Sequence, residues 1–217
     1  MFWPAVLGSL GCYADIRSGT GSVLVEKGGT VRIEFLFDLD KATASMAYLL
    51  ERLGPVEKVK LMKLLYIADR NHFIQHGRPI TGSEQVAMDH GPLPSACLEA
   101  LDKNRIPQFV NVDQLTHVVS LKSKPDGDIL EASERDILDK VISAFGAADK
   151  WALKKHTHKF QEFKRVYIYG TSKPISYELL LELYGGDKGN WRGQPVVSET
   201  SLKHMVCPFP VGSDTDL

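Results

Sequence analysis

Residues Lys60 to Pro92 decide the fold, and they read KLMKLLYIADRNHFIQHGRPITGSEQVAMDHGP. The first half predicts a helix that starts near Val56 and ends before Gly77, because its apolar residues recur at three- and four-residue spacing. These residues cover a wide arc, which is typical of a central helix packed by several neighbours. The predicted solvent side carries Glu57, Lys60 and Arg70.

The second half of this stretch predicts a loop from Gly77 to Pro92, with a short helical turn near residues 84–88. Asp69 falls on the apolar arc of the preceding helix, where a carboxylate is costly unless it is paired or multiply hydrogen-bonded. We interpret Asp69 as a strut that fixes the loop, through backbone N–H groups of the loop or through Arg78. Gly77 and Gly91 are expected to help, because glycine adopts backbone conformations closed to other residues.

The rest of the chain predicts further helices and one β-hairpin. Asp38 or Asp40 can cap a helix that runs to Leu53, where Gly54-Pro55 stops it. Alternating patterns over Gln108–Val112 and His117–Leu121 predict the hairpin. Other helices are predicted over Pro94–Lys103, Glu134–Phe145 with a Ser133–Asp136 capping box, Ala148–His158 and Pro174–Leu183. The predicted fold class is mainly α (α+β), a compact helical domain with one inserted β-hairpin.

Composition divides the chain into three expected segments. Residues 1–34 are rich in Gly, Ser and Thr, and we interpret them as an N-terminal extension that is poorly ordered or forms a short hairpin. Residues 35–186 are expected to form the helical domain. Residues 187–217 turn to Gly, Pro, Ser, Thr and Asp and are expected to be a tail.

Charge and cysteine content exclude several classes of protein. The 217 residues include 26 basic and 27 acidic side chains, so no overall field attracts nucleic acid or an anionic membrane. The three cysteines form no CxxC pair, which indicates a reducing, cytoplasmic location without disulfides or a thiolate zinc site. No stretch reaches the roughly 18 apolar residues of a membrane helix, and the apolar start lacks the basic residues of a signal peptide.

Few residues suggest catalysis. His72 and His76 have the four-residue spacing that can chelate a metal, with His90 as a third ligand, but Phe73 replaces the glutamate of metalloproteases. Cys97 and His90 are a conceivable nucleophile and base without a third orienting group. No GxGxxG, P-loop or GxSxG pattern is present. We therefore expect no enzyme, no metal and no cofactor, with a metal-dependent enzyme of unknown type as an alternative.

A basic run in the C-terminal half raises nucleic-acid binding as another alternative. Aromatic residues are interleaved with the cations, so that rings could stack on bases while cations meet phosphates. A solvated helix face is the interpretation we prefer, since acidic residues dilute the charge. The run contains Lys150, Trp151, Lys154, Lys155, Lys159, Phe160, Phe163, Lys164 and Arg165.

Several separate motifs resemble, in the same order, the Panacea domain of SocA-like antitoxins. The resemblance covers about Phe37 to Leu183, most of the chain. Its pieces are FDLDKA at 37–42, KLMKLLYIAD at 60–69, GRPITG at 77–82, AMDHGP at 87–92, Ser133-Glu134, Trp151-Ala152-Leu153 and Thr157-His158.

The resemblance implies a bacterial, cytoplasmic antitoxin that binds its cognate toxin protein and neutralises it. The SocA-like branch further implies a proteolytic adaptor that delivers the toxin to the ClpXP protease, and a DNA-binding autorepressor is the alternative. We expect a toxin-binding surface at the end of the long helix and the following loop, with the hairpin edge as a further contact. Its residues are Lys63, Tyr66, His76, Arg78, His90 and Pro92. Protease docking is expected in the tail, at Trp191, Val206 and Phe209.

Overall fold

The computed structural model describes residues 14–15, 21–25 and 31–185, with side chains from residue 33 onward. The helices are α1 (Leu39–Leu53), α2 (Lys58–His76), α3 (Ser95–Asp102), α4 (Ala132–Phe145), α5 (Lys150–Thr157), α6 (Gln161–Val166) and α7 (Tyr177–Tyr184). The strands are β1 (Ala14–Asp15), β2 (Gly21–Val25), β3 (Val31–Phe35), β4 (Val56–Glu57), β5 (Gln85–Ala87), β6 (Leu93–Pro94), β7 (Val110–Val112), β8 (Val118–Leu121) and β9 (Lys173–Ile175). Within these ranges no helix combines the length and the apolar character that a membrane crossing requires.

The strands form three small antiparallel sheets, ordered β1-β2-β3, β4-β8-β7 and β6-β5-β9. The predicted hairpin is β7 and β8, with Val110 opposite Leu121. Strand β8 also pairs with β4, so β7 is the open edge of that sheet within the described part of the chain. Helices dominate the remainder, and the fold class predicted from the sequence, mainly α with some β, is confirmed.

Helix α2 lies at the centre of the domain and packs against α1, α4, α5 and α7. Fourteen of its 19 residues are buried, because residues that face neighbouring elements lie on nearly every side of the helix. The prediction that Arg70 faces solvent is wrong, since this side chain is 3% exposed. Arg70 is buried because Glu162 on α6 supplies a carboxylate to pair with it, which the spacing within α2 could not reveal.

Local signals explain most helix ends. Asp38 caps α1 by accepting from the Lys41 N–H at 2.9 Å, and Gly54 follows its last turn. Gly77 ends α2 in the left-handed conformation, with φ of 74°. The capping box predicted at Ser133 is wrong: Glu131 caps α4 two residues earlier, exchanging hydrogen bonds with Glu134.

The loop after α2 contains strands that sequence pattern alone did not reveal. The helical turn expected near residues 84–88 is instead β5, which pairs with β6 and with β9. Strand β9 comes almost ninety residues after β5 in the chain, so no local sequence pattern indicates that the two strands pair. Helix α6 and strand β9 were likewise absent from the predicted elements.

The first described strands, β1, β2 and β3, form one of the antiparallel sheets. Strands β2 and β3 pair antiparallel, with Val25 opposite Val31. Ile33 of β3 is buried in a small cluster with Phe73 and Ile74 of α2 and with Tyr177 and Leu180 of α7. The packed part of the chain therefore includes Ile33, which lies before residue 35. The expected tail, residues 187–217, lies outside the described residues.

Candidate functional site

Asp69 binds the loop that follows α2. Its Oδ1 accepts from the backbone N–H groups of Ile80 and Thr81, at 3.0 and 2.9 Å. Its Oδ2 accepts from the Thr81 hydroxyl and from Gln85 Nε2. Burial raises the pKa of Asp69 to about 6, while these four donated hydrogen bonds act in the opposite direction. This is the geometry that a loop-fixing carboxylate requires, through backbone N–H groups rather than through Arg78.

Three of the sequence motifs meet around Gly91. Its φ is +90°, and a Cβ there would lie 3.0 Å from Lys63 Nζ, from Thr157 Oγ1 and from His158 Cδ2. Lys63 donates to the Pro92 carbonyl oxygen at 2.6 Å. The long helix, the loop and the end of α5 are thus packed so closely that only glycine fits at this position without displacing a neighbour.

A groove of about 550 Å³ opens beside this meeting point. Helix α2 forms one wall, α3 another, and the loop residues Met88 to His90 and the segment 170–172 complete the lining. The apolar side chains that line it are Val59, Met62, Met88, Leu93 and Leu98, and the charged or ionisable ones are Lys58, Lys63, Asp89, His90 and Asp102.

Asp89 holds the segment after α6 beside the groove through hydrogen bonds. Its Oδ1 accepts from the Tyr167 hydroxyl at 3.0 Å and from the Gly170 N–H at 2.9 Å. The Gly170 hydrogen bond is the main reason that the pKa of Asp89 is lowered. This tether presents two large apolar side chains to solvent, Ile168 at 56% and Tyr169 at 83% exposure.

The residues predicted for a toxin-binding surface do not form one surface. His76 and His90 are exposed and Arg78 is half-buried. Lys63, Tyr66 and Pro92 are buried, so the prediction that these three lie at a surface is wrong. The reason is that α2 is enclosed on more sides than an amphipathic surface helix.

His76 and Arg78 lie far from the groove that contains His90. His76 comes 13 residues after Lys63, a groove residue of α2, and this separation is about 20 Å along a helix axis. Arg78 near His76 donates to Glu131 Oε2 and Glu134 Oε1, at 2.7 and 2.6 Å. Only His90 and the buried Lys63 belong to the groove.

Tyr66 belongs to a buried network rather than to a surface. Its hydroxyl donates to Glu162 Oε1 at 3.0 Å, and Arg70 pairs with the same carboxylate. Tyr184 donates to the other carboxylate oxygen at 2.7 Å. The guanidinium of Arg70 also lies over the rings of Phe160 and Tyr184. The network joins α2, α6 and α7.

Two of the residues considered for metal binding and catalysis, His72 and Cys97, are engaged in the core. His72 Nδ1 lies 2.7 Å from the Arg78 carbonyl oxygen and Nε2 lies 3.2 Å from Ser133 Oγ, so both ring nitrogens have partners. Burial lowers the pKa of His72 to about 4. Cys97 is fully buried, and burial raises the pKa of its thiol far above the range of a reactive thiolate. Across residues 33–185 no group of three or more His, Cys, Asp or Glu residues is arranged to hold a metal ion.

The basic run does not form a stacking platform. Phe163 is buried, Phe160 packs against the core, and Trp151 alone of the three aromatics is largely exposed. Lys150 pairs with Glu57, and Arg165 pairs with Glu182. This arrangement favours the solvated helix face over nucleic-acid binding.

Sequence reasoning missed the groove because four separate segments build it. Val59, Met88 and Leu98 each look like ordinary core positions in the sequence, and the segment 170–172 carried no recognised motif. The one available signal was Asp89-His90-Gly91-Pro92, which was recognised as a loop without its partners.

Residues 61–164 match the family model described as "Antitoxin SocA-like, Panacea domain". The matched segment contains most of α2, the whole loop, the hairpin and α5. It is shorter at both ends than the span from Phe37 to Leu183 over which the sequence resembles that domain. Neither the curated proteins nor the solved structures contain a match to this chain.

Proposed function

Because residues 61–164 match the family model of SocA-like antitoxins, we propose that the chain is the antitoxin of a toxin–antitoxin pair and neutralises a toxin protein by binding it. The family match is the observation that carries this proposal. It covers most of α2, the loop and α3, which form much of the lining of the groove of about 550 Å³.

We propose that the toxin contacts the groove side of the domain. Exposed apolar side chains gather there, namely Val59, Met88, Ile168 and Tyr169, and aromatic and methionine side chains are enriched in protein interfaces. His90 lies at the rim. His76 and Arg78, at the other end of α2, are proposed as a second and separate contact.

Neutralisation by binding needs no catalysis. The side chains that could have supported an enzyme, Cys97 and His72, are buried and engaged with neighbours. We therefore propose a non-enzymatic protein that acts in the bacterial cytoplasm, where its toxin is made.

Growth of a bacterial host tests the antitoxin function. The protein encoded beside this chain in its native genome is expressed from an inducible promoter, alone and together with this chain. We expect arrest alone and growth together, and a stable complex of the two purified proteins. Continued arrest with both proteins folded and present in the cell would contradict the proposal.

The finer proposal is delivery of the toxin to ClpXP. The half-life of the toxin is measured in cells with and without active ClpXP, each with and without this chain. An adaptor shortens the half-life only when both the chain and the protease are present. A toxin that is bound but stable in every strain indicates neutralisation by masking.

Protease docking is proposed for the tail at Trp191, Val206 and Phe209, which lie outside the described residues. A chain that ends at residue 186 is expected to bind the toxin and to leave it undegraded. Unchanged toxin degradation by this shortened chain would refute the tail as the docking segment.

A further inference from the structure

Exposed apolar side chains gather around the groove between α2 and α3. Val59 and Met88 line the groove, and Ile168 and Tyr169 directly precede the segment 170–172 of its lining. Four of the seven large apolar side chains that are exposed on the described part of the chain therefore border this one opening. Apolar exposure that is clustered in this way is typical of a surface that binds another molecule.

The lysines and aspartates of the groove already have partners within the fold. Lys58 pairs with Asp102 at 2.6 Å. Asp89 accepts two hydrogen bonds from the segment after α6. Lys63 is 1% exposed and donates to the Pro92 carbonyl oxygen. The two positive and two negative charges balance, so a charged side chain that enters the groove loses water without gaining a counter-ion.

Strand β6, which borders the groove, offers no N–H group to an added strand. The Ser95 N–H donates to the Glu84 carbonyl oxygen, so the alternation of an antiparallel pair turns the backbone of Pro92 and Pro94 away from β5. Neither proline has an N–H group, and the Pro92 carbonyl oxygen already accepts a hydrogen bond. An extended segment that paired with this edge would find no donors.

The segment 170–172 is engaged in a similar way. The Gly170 N–H donates to Asp89, and the Thr171 N–H donates to the Ile168 carbonyl oxygen. Two successive N–H groups of the lining are thus used within the fold. A helix forms its own backbone hydrogen bonds and needs only side-chain contacts from the groove.

We infer that the groove binds the uncharged apolar face of an amphipathic helix of the toxin. Side chains at positions i, i+3, i+4 and i+7 of a helix form such a face. They pack against Val59, Met88 and Leu98, in a volume of about 550 Å³ that accommodates a few side chains. This inference rests on the proposed function and specifies which kind of toxin surface the groove recognises.

Two peptides of the same Leu, Ala and Gln composition test the inference without the toxin. One places Leu at the helical spacing, and the other places Leu at alternate positions, as in a strand. Each is titrated into the full chain, and amide chemical shifts are followed by NMR. We expect the helical peptide to bind at least about tenfold more tightly, with shifts centred on Val59, Met88 and Gly170. A third peptide, with Glu in place of a central Leu of the helical pattern, should bind at least about tenfold more weakly than its parent.

Met88→Glu tests the same requirement from the side of the groove. Met88 is 36% exposed, so the variant should keep its melting temperature, while its affinity for the helical peptide should fall at least about tenfold. Val59→Glu, on a different element, should behave in the same way. Leu36→Glu is the matched control, because Leu36 is 70% exposed and lies outside the lining of the groove. In the growth assay, Met88→Glu should protect at least about tenfold less well than Leu36→Glu.

Equal binding of the helical and the alternating peptide, or tighter binding of the alternating one, overturns the inference without use of any variant. Undiminished binding of the Glu-containing peptide contradicts the uncharged face, and full protection from the toxin by folded Met88→Glu overturns the inference as well. A preference for the helical peptide in a chain that fails to neutralise the toxin overturns the proposed function and leaves a helix-binding groove. The two failures are therefore distinguishable.

Discussion

Asp69 shows at the scale of one residue how a buried charge is tolerated. Four donors from the loop surround it, two of them backbone N–H groups that find no other acceptor in the loop. A carboxylate with several donors is stable in the core, whereas the donors are costly once the carboxylate is gone. The residue therefore fixes the loop's conformation more than it adds to the core.

Replacing Asp69 with Ala should lower the free energy of unfolding by about 3 kcal/mol or more, because buried donors lose their acceptor. Chemical denaturation measures this. Asp136→Ala, which removes an exposed carboxylate from a pair with Lys140, is the control and should cost less than about 1 kcal/mol. Equal stability of the two variants would contradict the role of Asp69 as a strut.

His72 gives the fold a pH-dependent contribution of known sign. Its folded pKa of about 4 lies below the ordinary value of 6.5, so its contribution to stability is full above pH 6.5 and is lost as the pH falls toward 4. Asp69, with a folded pKa raised to about 6, acts in the opposite direction over nearly the same window. The two effects offset each other in the wild-type chain.

The contribution of Asp69 to stability cancels when His72→Gln is compared with the wild type, because both chains contain Asp69. The destabilisation caused by His72→Gln should be about 2 to 3 kcal/mol smaller at pH 4.5 than at pH 7.5. Urea unfolding at both values measures it. A destabilisation that is the same at both pH values would mean that His72 titrates normally in the folded chain.

Among the elements of the fold, the segment after α6 is held in position by a hydrogen bond to Asp89, which lies in a distant part of the chain. Ile168 and Tyr169 are largely exposed, and Asp89 holds their backbone by accepting from Gly170. A turn in which the Thr171 N–H and hydroxyl donate to the Ile168 carbonyl oxygen completes the segment. Its conformation beside the groove therefore depends on a carboxylate about eighty residues earlier.

Asp89→Ala should increase the hydrogen exchange rate of the Gly170 amide, because this N–H loses its acceptor. Asp89→Asn retains an acceptor oxygen and should keep the protection. Amide exchange followed by NMR at matched pH distinguishes the variants. Unchanged exchange in Asp89→Ala would show that the tether does not order the segment.

At the scale of the whole molecule, the buried pair of Arg70 and Glu162 joins the central helix to the C-terminal helices. Glu162 is fully buried and accepts from Tyr66, Arg70 and Tyr184. A buried ion pair adds little net stability compared with apolar residues, but removal of one partner leaves a buried charge uncompensated. The pair therefore contributes mainly to how α2, α6 and α7 fit together.

Arg70→Met and Glu162→Gln should each cost about 3 to 5 kcal/mol, whereas the double variant should cost clearly less than their sum. Denaturant unfolding of the four chains in this cycle gives the coupling energy. Additive costs would indicate that the two side chains do not stabilise each other in the fold.

Features that depend on neighbours along the chain can be predicted from the sequence alone. Caps at Asp38, Gly54 and Gly77, the hairpin of β7 and β8, and the α-helical class all follow from local propensity and hydrophobic period. Asp69 was also identifiable, because a carboxylate on an apolar arc is anomalous within a single helix.

The tertiary structure alone decided which polar residues are inside and where the groove lies. Arg70, Lys63 and Tyr66 are buried because their partners, Glu162 and Pro92, come from distant parts of the chain. Strand β5 exists because β9 pairs with it, and the groove exists because four separate segments line it. The hydrophobic period of a segment indicates which of its faces is apolar. Long-range strand pairing and burial depend instead on which other segments of the chain pack against it.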